Sequence, residues 1–377
     1  MHISQRYPMT TFPNGWYAIS SVSEIQQAKV LPIRVLGREL VAFQTESGAI
    51  SVLDAHCPHQ GAHLGYGGTI KGESIECPFH KWCFDTAGKC QKIPYSKSVP
   101  RTKKTELHAY PTAERLGKIL IYFSSDYSAP TWEISQFEND LIGHWTEPTF
   151  SEMHFNTHIQ EFAENAFDVA HFQPVHHSEE NSIELNKKQS YGPLLTFALN
   201  LVYPGNGMGK FGGKVGVNVR WRYNGLGMFD NHVTLREYPM EIRQYFFITP
   251  IEEDKVRVEV ALRINKDKIK LPNPLRYLVL KLIETQNRKI LLRNFEEDRA
   301  IWENKIYREH PLLVEGDGPI GHLRTWMKQF YSQNAVQNAC APQLEAEEIF
   351  CNQQSNDMGT VKQSPSLVTG CENLNCP

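Results

Sequence analysis

Short alternating runs of hydrophobic and polar residues dominate the first third of the chain. They are separated by turn residues such as Gly37 and by the sequence Glu46-Ser47-Gly48, and this pattern is typical of short strands joined by tight turns. We therefore expect a small all-β domain over residues 15–125, preceded by an arm (residues 1–14) and followed by a linker (residues 126–149). The predicted strands cover residues 16–20, 33–35, 39–43, 50–53 and 118–123.

Longer elements follow from residue 150 onward, where β-type runs suit an antiparallel sheet and Pro274 opens a long helical pattern. Separate runs of strands and helices predict an α+β domain over residues 150–335. Residues 336–377 are rich in polar residues, have little to bury, and are expected to form a flexible tail. The predicted strands cover residues 154–159, 217–221, 231–235, 244–248 and 256–260, and the predicted helices cover residues 161–172, 275–307 and 320–331.

Two cysteine–histidine pairs stand out in the N-terminal part. Cys57 and His59 form the first pair, Cys77 and His80 the second, and proline and glycine lie beside both. Two thiolates and two imidazoles could hold one zinc ion tetrahedrally. The same four residues could hold a [2Fe-2S] cluster, with both cysteines on one iron and both histidines on the other. The pairs alone leave both interpretations open, and we expect the two loops to lie at hairpin tips.

A second set of potential metal ligands follows in the α+β domain. Asp168, His171 and His176 lie within nine residues, and Pro174 lets the chain turn back so that both imidazoles can reach one ion. Two histidines and one carboxylate, with other positions open, are the ligands of mononuclear iron(II) enzymes that activate dioxygen. Asp168, one helical turn before His171, better suits a supporting role, in which it orients the ring of His171.

The third iron ligand is therefore expected from the long helix. Asp298 has apolar residues three and four positions later, Ile301 and Trp302, which predicts that it faces inward. A buried carboxylate without a basic partner requires a metal ion or a proton. We therefore choose Asp298. The neighbouring acidic residues are interpreted as solvated charges; they are Glu296, Glu297 and Glu303.

The composition limits the classes of function. The chain has 377 residues, 41% of them hydrophobic and 21% charged, as expected of a globular protein with two domains. Its formal net charge of −3 gives no electrostatic basis for binding nucleic acid. The N-terminus resembles no signal peptide, and no run of 18 apolar residues predicts a transmembrane segment. We expect a cytoplasmic protein with reduced thiols, including Cys83 and Cys90, which are interpreted as small buried residues.

Taken together, the motifs resemble those of the Rieske non-haem iron oxygenases, specifically their terminal oxygenase (α) component. The first cysteine–histidine pair, the 17-residue gap and the second pair fit the Rieske motif. The stretch from Glu164 to His176 fits the mononuclear iron motif, and the stretch from Glu297 to Glu303 is similar to the segment that supplies the iron carboxylate. The resemblance covers most of the chain.

This resemblance implies a Rieske domain followed by a helix-grip catalytic domain, and a head-to-tail homotrimer. It implies that a separate reductase or ferredoxin supplies electrons, and that the cluster of one subunit serves the Fe(II) of its neighbour. Asp168 then bridges His80 of one subunit and His171 of the next. The enzyme would use O2 to hydroxylate or desaturate a small hydrophobic substrate, as a monooxygenase or dioxygenase.

The same resemblance suggests a subfamily, and three other functions compete with it. The stretch 301–320 looks similar to the 3-ketosteroid 9α-hydroxylases and cholesterol 7-desaturases, which implies a sterol-like substrate, with residues 200–285 lining the pocket. One alternative is a Rieske oxygenase that hydroxylates or demethylates an aromatic or other small substrate. Another is a Rieske electron carrier with a non-catalytic second domain, and a third is a structural zinc protein.

Overall fold

The computed structural model describes residues 6–7, 12–134, 143–186, 190–204 and 213–331. The predicted tail, residues 336–377, lies outside the described residues, as do parts of the predicted arm and linker. Within the described part of the chain, no helix combines the length and the apolarity needed to cross a bilayer.

Ten short strands and one helix make up the N-terminal part, and each strand predicted there from alternation is present. The helix, α1 (Val22–Ala28), was not predicted. The strands are β1 Gly15–Ser21, β2 Val30–Val35, β3 Arg38–Gln44, β4 Ile50–Asp54, β5 Thr69–Lys71, β6 Ser74–Glu76, β7 Cys83–Asp85, β8 Cys90–Lys92, β9 Thr112–Arg115 and β10 Lys118–Phe123.

These strands form three small antiparallel sheets, in the orders β1-β10-β9, β2-β3-β4 and β5-β6-β7-β8. The second cysteine–histidine loop lies at the tip of the β6–β7 hairpin, as predicted. The first loop does not lie at a hairpin tip, because the strands on either side of it, β4 and β5, belong to different sheets. An isolated antiparallel bridge between His56 and His63 closes it instead.

The C-terminal part is built on one seven-stranded antiparallel sheet, in the order β11-β17-β16-β15-β14-β13-β12. Sheet and helices are segregated, so the predicted α+β class is confirmed. Strands β12 and β13 were not predicted. The strands are β11 Thr149–Phe155, β12 Glu180–Leu185, β13 Leu194–Pro204, β14 Lys214–Asn224, β15 Met228–Leu235, β16 Glu241–Glu252 and β17 Lys255–Ile264. The helices are α2 Ile159–Asn165, α3 Asn273–Trp302 and α4 Ile320–Met327.

The long helix α3 covers one face of this sheet. Aromatic side chains fill the contact: the ring centroid of Phe295 on α3 lies 6.2 Å from that of Phe246 on β16 and 6.1 Å from that of Phe155 on β11. Trp302, at the end of α3, is 2% exposed and packs 5.0 Å from Phe162 on α2. These contacts hold α2 and the C-terminal half of α3 against each other. The predicted iron ligand Asp298 lies on α3, and the two predicted histidine ligands follow α2 in the chain.

Three element boundaries differ from the predictions. The strand predicted at residues 154–159 ends at Phe155. The helix predicted over residues 161–172 is α2, which ends at Asn165, and a single 3₁₀ turn follows at Ala170–Phe172. Between them the N–H of Asp168 donates to the carbonyls of both Glu164 and Asn165, which tightens the chain. Asp168 and His171 therefore do not share one continuous helix.

Helix α3 ends at Trp302 rather than at Tyr307, and the N-terminal arm provides a reason. The last carbonyls of a helix lack partners within the helix. Here the Arg6 guanidinium donates to the carbonyls of Trp302 (2.8 Å) and Lys305 (3.1 Å), and the N–H of Tyr307 donates to the Arg6 carbonyl (2.8 Å). The arm thus replaces the next helical turn.

Candidate metal centres

The first cysteine–histidine loop connects two sheets, the second joins two strands of one sheet, and together they bring the four candidate ligands close to one another. Hydrogen bonds within each loop shape the backbone: the Cys57 N–H donates to the Ala62 carbonyl (2.9 Å) and the Cys77 N–H to the Trp82 carbonyl (2.8 Å). Cys57 is 3% and Cys77 1% exposed, and both belong to a core with Val41, Phe43 and other apolar residues. The loops therefore place two thiols inside the domain and leave the histidines nearer the surface.

The geometry of the four side chains fits a cluster better than a single ion. The rings of His59 and His80 lie 4.6 Å apart, and the Nδ1 atom of His59 is buried without a hydrogen-bond partner. The two cysteines belong to the apolar core of the domain, and the two histidine rings lie next to each other nearer the surface. This separation of thiols from imidazoles suits a [2Fe-2S] cluster, with both thiolates on one iron and both imidazoles on the other.

The protonation of Cys57 supports the same assignment. Burial raises the pKa of this thiol to about 12, and the neighbouring Cys77 adds to the effect. Without a cation the thiol would stay protonated, so only a bound metal would stabilise the thiolate in this site. Cys83 and Cys90 are free thiols; Cys83 is buried as predicted, and Cys90 is only partly buried.

Aromatic side chains surround the exposed edge of this site. Trp82 stacks on His59, with ring centroids 4.8 Å apart and planes 7° from parallel, and its N–H donates to the Tyr95 hydroxyl (2.8 Å). Phe79 packs against His80, and Phe79 and Tyr95 are 58% and 63% exposed. The histidine side of the site therefore faces outward through an apolar surface.

The three predicted iron ligands meet at the junction of α2, the 3₁₀ turn and α3. The Nε2 atom of His176 lies 3.3 Å from Asp298 Oδ2, and that of His171 lies 3.9 Å from Asp298 Oδ1. Ligand atoms each about 2.1 Å from a first-row ion lie roughly 3–4 Å apart, so the separations fit one ion. Asp298 is 3% and His176 5% exposed. The set is thus a buried group of two imidazoles and one carboxylate.

The second ring nitrogen of each histidine fixes which atom faces Asp298. His171 Nδ1 bonds to the main-chain carbonyl of Asp168, and His176 Nδ1 bonds to the carboxylate of Glu297 (3.0 Å). A ring that donates through Nδ1 offers a lone pair at Nε2. Both lone pairs then converge on a carboxylate, and three acceptors in one buried place require a cation between them. The residues therefore fit Fe(II).

The pKa directions agree with this geometry. Burial lowers the pKa of His171, which favours the neutral imidazole that a metal needs. Burial also acts to lower the pKa of His176, but hydrogen bonds to the carboxylates of Asp298 and Glu297 outweigh it, and the net shift is upward. A proton on His176 would therefore compete with a metal ion for the same lone pair.

Two supporting residues differ from the sequence interpretation. The carboxylate of Asp168 was predicted to orient His171, but in this chain its main-chain carbonyl does so. Within the described residues that carboxylate receives no hydrogen bond and is partly exposed. Glu297 was interpreted as a solvated charge, yet it binds His176 and is only 28% exposed. Its position next to Asp298 on the same helix was the one signal in the sequence that could have indicated this role.

Glu296 pairs with Arg299 and is 56% exposed, as predicted. Glu303, just after α3, pairs with the same guanidinium but is only 23% exposed and accepts from the main-chain N–H of Asn156 (3.1 Å), so the interpretation as a solvated charge is wrong for it as well. The side-chain amide of Asn165, at the end of α2, donates to Asp298 Oδ2 (3.0 Å) and lies 3.4 Å from His171 Nε2. It therefore fixes the orientation of the carboxylate.

A cavity of about 610 Å³ reaches His176 and Asp298. Every second residue of β13–β16, on one face of the sheet, forms its floor, and α3 forms its roof. The prediction that residues 200–285 line it is right for the described residues between Leu201 and Phe246 but wrong for residues 247–285, and it omitted the C-terminal half of α3 (residues 286–302). The α3 residues are Gln286, Asn287, Ile290, Leu291, Arg293, Asn294, Phe295, Asp298 and Trp302.

A further group of ligand types, Glu39, His56 and His63, lies beside the first loop, with its ligand atoms within 4.8 Å of one another. It is largely exposed. His56 uses Nδ1 for the Gly61 carbonyl (3.0 Å) and Nε2 for Glu39 (2.6 Å), and His63 Nδ1 accepts from the Gly65 N–H (2.9 Å). These bonds account for the group as a network that fixes the loop, and we assign no metal to it.

An all-β domain with a buried cysteine–histidine site, joined to an antiparallel sheet with a two-histidine, one-carboxylate site, defines the class of Rieske-type oxygenases. The comparisons with known proteins agree. Residues 15–110 match the Rieske [2Fe-2S] domain, and residues 121–331 match the 3-ketosteroid 9alpha-hydroxylase C-terminal domain. The chain belongs to this family of Rieske oxygenases, and it is an oxidoreductase that works with a separate electron donor on a small molecule.

Similar proteins include two named groups of enzymes. The chain is 30% identical to cholesterol 7-desaturase of Drosophila melanogaster, over 86% of this chain and 76% of that protein. It is 29% identical to the oxygenase component of 3-ketosteroid-9-alpha-monooxygenase of Rhodococcus rhodochrous, over 85% and 84%. The fold is similar to that of dicamba monooxygenase, with a TM-score of 0.62, 18% identity and coverage of 87% of this chain and 99% of that one.

Proposed function

We propose that this terminal oxygenase hydroxylates or desaturates a sterol-like molecule. The observation that carries the proposal is the cavity beside His176 and Asp298, whose walls are mostly aliphatic and aromatic. Its volume of about 610 Å³ lies within the range of cavities that enclose a whole small ligand. The relatives named as acting on cholesterol and on 3-ketosteroids support the same class of substrate.

In this proposal the cluster is held by one set of residues and Fe(II) by another. A bound cluster would supply electrons one at a time, and bound Fe(II) would supply the activation of dioxygen. Glu297 and the Asp168 carbonyl orient the two imidazoles, and Asn165 orients the carboxylate. The apolar walls exclude water from the substrate. The cluster residues are Cys57, His59, Cys77 and His80, and the iron residues are His171, His176 and Asp298.

We further propose that the protein works as a head-to-tail homotrimer, with Asp168 facing His80 of the next subunit. Two observations support this arrangement. The side of the cluster site that carries His80 presents exposed aromatic residues, Phe79 and Tyr95, which suit a protein interface. The carboxylate of Asp168 is partly exposed and has no hydrogen bond within the described residues. We also propose a cytoplasmic location, which suits the free thiols of Cys83 and Cys90.

Mixed subunits test the assignment of both sites and the trimer together. Cys77→Ala should lack the cluster and His171→Ala should lack Fe(II), so each should be inactive alone. Dissociating and reassembling the two variants together should restore part of the activity, because one subunit type supplies each site. Sedimentation should show three copies. Activity that stays absent in mixed trimers would contradict transfer between subunits.

Metal analysis separates the oxygenase from the electron-carrier alternative. Wild-type protein should contain three irons and two acid-labile sulfides per chain. His171→Ala should lose one iron and keep the visible absorption of the cluster. Two irons and two sulfides in the wild type, unchanged in His171→Ala, and no oxygen-dependent turnover of any substrate would leave only the carrier.

A further inference from the structure

A row of polar side chains crosses the floor of the cavity. Trp221 on β14, Asn231 on β15 and Gln244 on β16 are direct partners in the register of the three strands. Residues opposite each other in an antiparallel pair point to the same face, and all three line the cavity that reaches His176. The indole and the amide are therefore neighbours on the surface that a substrate would touch.

Two atoms in this row are buried and have no hydrogen-bond partner within the part of the chain that the structure describes. The side-chain N–H group of Asn231 donates to Gln244 Oε1 (2.9 Å), which leaves its oxygen, Oδ1, unpaired. The indole N–H of Trp221 is also unpaired. Asn231 is 2% exposed. Buried polar groups normally have hydrogen-bond partners, so a donor and an acceptor on two directly paired residues, both without a partner among the described residues, indicate a missing polar group.

Packing prevents the two residues from finding other partners. The indole of Trp221 is stacked on Phe197, with centroids 6.1 Å apart and planes 6° from parallel, and it packs 5.2 Å from Phe246. The next rows of the floor on either side are apolar. They are Leu199, Val219, Val233 and Ile242 on one side, and Tyr223, Phe229 and Phe246 on the other. The polar pair is thus an isolated spot in an apolar surface.

We propose that this pair binds a single hydroxyl group on an otherwise apolar substrate. A hydroxyl accepts from the Trp221 N–H and donates to Asn231 Oδ1, so it satisfies both atoms. A ketone can accept from Trp221 but cannot donate, and its oxygen would face the Asn231 oxygen. A hydrocarbon satisfies neither. The inference rests on the proposed sterol-like substrate and narrows it to a sterol alcohol rather than a ketosteroid.

Equilibrium binding of three matched steroids tests the inference without turnover. Cholestanol, cholestanone and cholestane differ only at one carbon, and each is offered from cyclodextrin to the anaerobic holoenzyme in equilibrium dialysis. We expect cholestanol to bind roughly 10- to 100-fold more tightly than the other two, because each of them leaves a buried polar atom unpaired.

Two variants give different expected patterns. Asn231→Leu removes the acceptor, so cholestanol and cholestanone should then bind equally. Trp221→Phe keeps an aromatic ring but removes the donor, so both oxygenated steroids should weaken relative to cholestane while the preference for the alcohol over the ketone persists. Cholestane should bind both variants at least as tightly as it binds the wild type, because each variant removes an atom that cholestane leaves unpaired, and this checks folding. Asn218→Leu is the matched control, since Asn218 bonds to Asn200 and does not line the cavity.

The outcomes separate this inference from the proposed function. Equal binding of the three steroids would mean that water satisfies the polar pair; it would overturn the hydroxyl site and leave the sterol-like substrate standing. Preference for cholestanone would do the same. No binding of any steroid would overturn both proposals. If Asn231→Leu does not fold, Trp221→Phe still tests the inference. Weaker binding of both oxygenated steroids in that variant would support the hydroxyl site, and unchanged binding would overturn it.

Discussion

Replacing Glu297 by glutamine should weaken the iron site without touching a proposed ligand. The carboxylate lies 3.0 Å from His176 Nδ1 and is 28% exposed, and its other oxygen lies 3.4 Å from Arg293. Loss of such a supporting partner typically costs about 10- to 100-fold in metal affinity. Glutamine keeps an acceptor of the same shape but loses the charge, which about halves the strength of the hydrogen bond.

The expected effect therefore lies at the lower end of that range. Roughly tenfold weaker iron binding corresponds to about 1.4 kcal/mol, and the partial exposure of Glu297 argues against more. Competition with an Fe(II) chelator under argon measures the affinity, and the visible absorption of the cluster serves as an internal check that the first site is intact.

The neighbouring residue provides the matched control. Glu296→Gln makes the same chemical change one position earlier, where the carboxylate pairs with Arg299 rather than with a histidine. Iron affinity in this variant should match the wild type. If Glu297→Gln and Glu296→Gln retain iron equally well, the reasoning that Glu297 supports His176 is refuted.

Two further predictions concern stability and the cavity. Burial lowers the pKa of His158 to about 4, so the unfolded chain binds one proton more between roughly pH 6.5 and 4. This proton does not affect the free energy of unfolding above pH 6.5. As the pH drops to 4 it lowers the free energy of unfolding by on the order of 3 kcal/mol. His158→Asn keeps the acceptor for the N–H of Gln160 at the start of α2 and should flatten this part of the pH profile of urea unfolding; an unchanged slope would contradict it. Val219→Trp should fill the cavity beside Trp221 and abolish steroid binding while iron and sulfide contents stay normal, whereas Val219→Ile should retain binding; steroid binding by the tryptophan variant would show that the ligand lies elsewhere.

Local patterns were sufficient for much of the fold. Short apolar runs at residues 39–43 and 118–123, each close to turn residues, identified strands. The structure buries both faces of these runs: every residue of Lys118–Phe123 and the last five of Arg38–Gln44 are buried. Pro274 marked the start of α3, since a proline is tolerated in the first turn of a helix. Asp298 was recognised by its apolar neighbours Ile301 and Trp302, and the structure buries it beside both histidines.

Other features depend on contacts that the sequence does not display. The break after Asn165 is made by main-chain hydrogen bonds at Asp168, in a stretch whose composition favours a continuous helix. The role of Glu297 depends on the side of α3 that His176 approaches, from 121 residues away in the chain. The pairing of Trp221 with Asn231 depends on the register of β14 and β15, which alternation alone does not specify.

The contact between the arm and the end of α3 constrains the order of assembly. Arg6 and Tyr7 are synthesised almost 300 residues before their partners at Trp302 and Lys305. The Cys57 and Cys77 loops are built from the first part of the chain alone. The site around Asp298 requires α3 and the contact of Arg6 with the end of that helix at Trp302. During translation the cluster domain can therefore form early, and a stable place for Fe(II) can exist only after the two distant parts of the polypeptide have met.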